Sequence, residues 1–152
     1  MRRIKSLPVV LGLFAIFTGS EGFAFNSFRD APTGTLHVLS GQDSQTRAEC
    51  FLYVTQMIPQ DSKQGPLREI TVETSYAHNG QRAEPVTARP NPSRPTVMTG
   101  TAPNSKDQVA LLFKSHRLDL SEMTQFNLRW WHQNHYHTNS CTNLRLVTNS
   151  LW

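Results

Sequence analysis

Apolar and polar positions alternate with a period of two along much of this chain. TLHVLSG sets Leu36 and Val38 against His37, and LREITVETSY places Ile70 and Val72 on one face with Glu69, Thr71 and Glu73 on the other. Such alternation marks a strand with one buried and one wetted face. CFLYVTQMI, starting at Cys50, is a continuous apolar and β-branched run and reads as a more deeply buried strand. Asn79 and Gly80 predict a tight hairpin, because both central positions of such a turn favour positive φ. The return strand would be QRAEPVTAR. TVMTG, QVALLFKSH, FNLRWW and CTNLRLV bring the set to seven or eight short strands.

Helical signal is slight. In LDLSEMTQ, Asp119 can cap a turn with Glu122 three residues on, enough for a single helical turn. ARPNPSRPT carries Pro90, Pro92 and Pro95 between Arg89 and Arg94, and reads as an exposed, mobile loop because proline lacks the donor a central strand needs. The expected fold is all-β: an antiparallel β-sandwich, with a small β-barrel as the alternative. At most one short helical turn should follow the leader.

That leader is residues 1–24. A basic start (Arg2, Arg3, Lys5), an apolar run over 7–17 and small residues at Gly22 and Ala24 follow the order of a secretory signal peptide. The run is shorter than the roughly 20 residues a membrane-spanning helix needs. Cleavage after Ala24 would leave residues 25–152 as one exported domain, secreted or periplasmic, with Phe25 first. No cysteine lies near the cleavage point to accept a lipid, so no membrane anchor is expected.

Removal of the leader changes the charge picture. The whole chain has 15 basic and 11 acidic residues; without Arg2, Arg3, Lys5 and Glu21 it keeps 12 and 10. A near-balanced domain with scattered Arg and Lys lacks the basic stripe that nucleic acid requires, so nucleic acid is not an expected partner. Cys50 and Cys141 are the two cysteines, and an even count in an exported chain predicts a disulfide between them.

WWHQNHYHTNSC, from Trp130 to Cys141, is the densest chemical stretch. His135 and His137 are two apart and would point the same way on a strand, whereas His132 would face the opposite side unless Gln133 and Asn134 bend the chain. With that bend, His132, His135 and His137 form a candidate site for zinc or copper, with His116, His78 and Asp119 as nominees for a fourth ligand. Without it, they are solvated side chains of a hairpin tip and no cofactor is expected. On the alternating pattern Phe126, Leu128 and Trp130 share one face and Arg129 and Trp131 the other. Arg129, Trp131 and Tyr136 are therefore the candidate ligand-binding surface, amphipathic enough to take a carbohydrate or a protein partner.

Signals for catalysis are poor. Glu69 and Glu73 share a strand face, but four residues of strand span roughly 13 Å, more than the 5 to about 9.5 Å that separates paired carboxylates at a glycosidic bond. No nucleophile elbow, phosphate-cradling loop or HExxH helix occurs. The leading expectation is an exported binding or interaction module. A metal-binding protein, a hydrolase without a nameable catalytic residue, and a small outer-membrane β-barrel follow in that order. The last rests on the alternating LRLVTNSLW and counts against itself through short strands and the proline-rich interruption.

Overall fold

The computed structural model describes residues 31–61, 65–78 and 80–147. Residues 1–30, on which the signal-peptide expectation falls, residues 62–64, Asn79 and residues 148–152 lie outside the described residues. The strands are β1 (His37–Asp43), β2 (Glu49–Pro59), β3 (Leu67–Thr74), β4 (Ala77–His78), β5 (Gln81–Arg82), β6 (Val86–Asn91), β7 (Arg94–Thr101), β8 (Gln108–Phe113), β9 (Met123–His132) and β10 (His135–Val147).

The chain is all-β, and of the two expected architectures it takes the barrel rather than the sandwich. Eight strands form a closed antiparallel barrel in the order β1-β10-β9-β8-β7-β6-β3-β2, each pairing with its sequence neighbour apart from the small β4-β5 ribbon. Closure comes from β1, which pairs with β2 on one side (Leu39 with Leu52) and with β10 on the other (Leu39 with Leu146). A sandwich would leave sheet edges open; this meander has none.

One side of each strand fills the interior. Leu39, Leu52, Val54, Ile70, Val72, Val86, Ala88, Met98, Val109, Leu111, Phe126 and Leu128 belong to one buried cluster. The outward side is polar: Thr71 and Thr87 pair hydroxyls at 3.0 Å, and Arg89 forms an ion pair with Glu69 at 2.8 Å. A smaller apolar group, Val38, Phe51 and Tyr53, lies on the outer face of β1 and β2 with Ala31 packed against it. With an apolar interior and an outer wall that is polar away from β1 and β2, the described residues lack the continuous outer apolar band of a lipid-facing barrel.

Cys50 and Cys141 are disulfide-bonded, with Cα atoms 6.1 Å apart. They lie on β2 and β10, the two neighbours of β1, so the bridge crosses the inner face of β1. It crosses at Gly41, which pairs with Cys50. A Cβ there would stand 3.1 Å from Cys141 Sγ and collide with the Thr142 carbonyl oxygen. A loop spanning 91 residues is thereby closed, which on the chain-entropy model stabilises by about 4 to 5 kcal/mol.

Two local expectations change. ARPNPSRPT is the β6-β7 hairpin and not a loop: Asn91 pairs with Arg94 and the Asn91 side chain accepts from Ser93 N at 2.9 Å. The prolines are tolerated because the ladder is irregular there. Pro90 pairs with Met98 and the next pair is Asn91 with Arg94, so Pro95 sits in a stretch of β7 with no partner on β6 and its missing donor breaks nothing. Of the turn predicted at Asn79 and Gly80, Gly80 has φ of 74° and lies between only the short β4 and β5, with His78 opposite Gln81, while β3 pairs with β6. The residues between Thr74 and Val86 thus fold over one end of the barrel. Tyr76 enters the core there, its ring 5.8 Å from Phe126 and its hydroxyl donating to Asp43 Oδ2 at 2.6 Å. The turn expected at LDLSEMTQ is a 3-10 turn over Leu120–Glu122, capped by Asp119 accepting from Ser121 N at 2.9 Å.

Candidate functional site

The β9-β10 hairpin turns in two residues. Gln133 and Asn134 have φ of 49° and 67°, the left-handed pair of a type I′ turn. His132 consequently pairs with His135, Trp131 with Tyr136 and Trp130 with His137. Directly opposed residues share a face, so the turn supplies the bend that His132 needed. All three histidines join Trp130 on the inward side, at the barrel end covered by the 75–85 segment, and Trp131 with Tyr136 faces out.

Trp130 organises the inner group. Its indole Nε1 donates to Asn139 Oδ1 at 2.7 Å. Two imidazoles lie nearly parallel to it: His78 with ring centroids 3.8 Å apart and His137 at 4.5 Å. His132 is 5.7 Å from the indole and 5.9 Å from His137. His135 is exposed, 4.2 Å from His137, with Nδ1 3.0 Å from the Gln133 carbonyl. Burial pushes the His78 imidazole down to about 4, assisted by the neighbouring His132 and His137, so it is neutral at physiological pH.

His78 is the fourth-ligand nominee that joins the group. His116 and Asp119 lie in the β8-β9 connection at the opposite end of the barrel. Among the described residues no three His, Cys, Asp or Glu side chains are disposed to hold one metal ion. The trio His132, His135 and His137 therefore shares a face without being assembled as a tetrahedral or octahedral centre.

A hollow of about 310 Å³ opens beside this group, lined in part by His78, Arg82, Glu84, Asp107, Trp130 and His132. Sequence reasoning missed its two acids. Asp107 is 7 % exposed, and burial raises its carboxyl above the usual range. Glu84 accepts from Asn104 N at 3.1 Å, Asn104 Nδ2 at 2.6 Å and Ser105 N at 2.9 Å, and these bonds hold its carboxyl below the usual range. The NSKD turn at 104–107 was the available signal, but nothing in it points to the distant Glu84.

The outward group is assembled as the alternation predicts. Trp131 meets the Tyr136 ring edge-on with centroids 4.6 Å apart. The Arg129 guanidinium lies 3.7 Å from the Tyr136 ring centre. Trp131 is 56 % exposed and Tyr136 47 %, large aromatic surfaces fixed by their neighbours and open to solvent. Beside this ledge runs a trough of about 690 Å³ whose walls include Arg94, Thr99, Thr101, Gln108, Asn127 and Thr138. The register explains it: Thr101, Gln108, Arg129 and Thr138 form one transverse row across β7 to β10, and Thr99, Ala110 and Asn127 the next. The small Ala110 leaves the depression.

No protein-family model matches the chain, and no curated protein or solved structure matches it. The chain is therefore defined by its fold and its disulfide: an all-β barrel stapled between β2 and β10.

Proposed function

We propose that this chain is an exported binding domain whose ligand docks on the ledge formed by Arg129, Tyr136 and Trp131. The observation that carries the reading is the exposure of Trp131 and Tyr136 in a mutually braced arrangement. Rigid aromatic area with polar tips lowers the ordering cost of association. Export is supported by the leader pattern of residues 1–24 and by the disulfide, which fits an oxidising compartment. The polar outer wall supports a domain free of the bilayer over a small outer-membrane barrel.

A carbohydrate is favoured over a protein partner. The adjoining trough offers hydroxyls from Thr99, Thr101 and Thr138 and carboxamides from Gln108 and Asn127. Those groups suit the hydroxyls of a sugar whose ring stacks on Trp131. The test is titration of a panel of neutral and acidic oligosaccharides into the protein, followed by tryptophan emission and calorimetry, with Trp131→Ala alongside. Saturable binding lost in the variant supports the reading. Binding that survives Trp131→Ala, or its absence across the panel, moves the ligand away from the ledge or to a protein.

A further inference from the structure

The inner face of the same hairpin carries different chemistry. Four of the six histidines, His78, His132, His135 and His137, gather around Trp130. Imidazole packed on indole buries polar nitrogens, and both ring nitrogens of His78 and Nε2 of His137 are buried without a hydrogen-bond partner in the structure. Each such nitrogen forfeits its hydration for nothing unless another group supplies the missing interaction.

We propose that His132 and His137 bind a single monovalent copper ion at this end of the barrel, beside the Trp130 indole. The first support is spacing. Metal to imidazole-nitrogen bonds of about 2.0 Å place two rings that share an ion with centroids roughly 5 to 6.3 Å apart, depending on the angle at the metal. His132 and His137 stand at 5.9 Å, toward the open-angle end of that range.

The second support is the donor count. Zinc in protein sites is almost always held by four ligands, or by three and a water. No three candidate donors converge on one point among the described residues. A d¹⁰ ion of single charge has no ligand-field preference and is satisfied by two nitrogens at an open angle, so the sparse donor set favours monovalent copper over zinc.

Trp130 supplies the third. An aromatic face attracts a cation within about 6 Å of its centroid, and more strongly where water is excluded. Both ligand rings pack on the indole, His137 at 4.5 Å and His132 at 5.7 Å between ring centroids, so an ion they share lies beside it. The indole is held in place by its bond to Asn139. His78 stacks on the indole from the 75–85 segment, with ring centroids 3.8 Å apart, and holds the ring in place. His135 is exposed and beside the Gln133 carbonyl, and it is not needed. This assignment does not depend on the ledge outside the barrel.

The experiment uses the full exported chain with its disulfide intact, titrated anaerobically with monovalent copper stabilised in acetonitrile, against a chromogenic copper chelator. Zinc is titrated in parallel. One copper per chain is expected, with quenching of tryptophan emission and zinc binding much weaker. His137→Ala should lose more than about 100-fold in copper affinity, beyond what removal of a merely supporting partner costs. His135→Ala and Trp131→Ala should bind as the parent does. X-ray absorption on the copper-loaded parent should read two nitrogen neighbours. That measurement decides the matter even if His137→Ala fails to fold. Zinc binding tighter than copper, undiminished copper binding by a folded His137→Ala, four equivalent donors in the absorption spectrum, or no copper bound would each overturn the assignment.

Discussion

His132 stands directly opposite His135 across the turn made by Gln133 and Asn134. In an unbroken strand, residues three apart face opposite ways. The two-residue reversal restores the parity, and every assignment of β9 and β10 side chains to the inside or outside of the barrel follows from it.

That turn is held by two residues other than glycine at positive φ, each costing roughly 1 kcal/mol relative to glycine. Replacing the pair by Asn and Gly, through Gln133→Asn with Asn134→Gly, should stabilise the domain by about 1 kcal/mol without changing its register. Thermal or urea unfolding reads the gain. A loss of stability would show that the turn's own side chains contribute more than its backbone strain costs.

Gly41 is the position over which the disulfide passes. Gly41→Val should destabilise by more than about 2 kcal/mol, because the new side chain meets both the Thr142 backbone and the bridge. Titration of free thiols after oxidative refolding should find incompletely bridged protein. Full bridging with wild-type stability would contradict the crossing described here.

The Asp43 and Tyr76 pair predicts opposite pH limits. Burial raises the Asp43 carboxyl, but the hydrogen bond from Tyr76 and those from Thr46 and Gln45 outweigh it and leave it below the usual 3.8. A carboxylate depressed in the fold contributes stability above its unfolded value, which is lost as pH falls below about 4. Burial and the Asp43 charge raise the Tyr76 hydroxyl well above its usual 10.0. Its contribution is complete below that value and is lost as pH rises past it. Tyr76→Phe should cost about 1 to 3 kcal/mol at neutral pH and flatten the alkaline limb of the stability profile. An unchanged alkaline limb would remove Tyr76 as its source.

The adjacent tryptophans should behave as opposites. Trp130→Ala leaves a hole beneath the histidines and should cost about 3 to 5 kcal/mol. Trp131→Ala, from a side chain 56 % exposed, should cost less than about 1 kcal/mol and remove ligand binding instead. Urea denaturation of the two variants separates them, and equal costs would contradict the division of the hairpin into inner and outer faces.

The sequence by itself determined that the chain is all-β, where most strands lie, that Cys50 and Cys141 pair, and that Trp130 and Trp131 point opposite ways. Each is a local or compositional property: a period of two, turn residues, an even cysteine count. Only the tertiary structure decided between barrel and sandwich, because both bury one face of every strand and differ only in whether β1 also pairs with β10. The strand character of Pro90 and Pro95 rested on a shift of the β6-β7 ladder, which no local pattern reveals. His78 reached Trp130 because the 75–85 segment folds over the barrel end, bringing together residues more than 50 positions apart. Periodicity assigns a side chain to a face, but which faces meet is set by long-range pairing, and that pairing is where the proposed copper site arises.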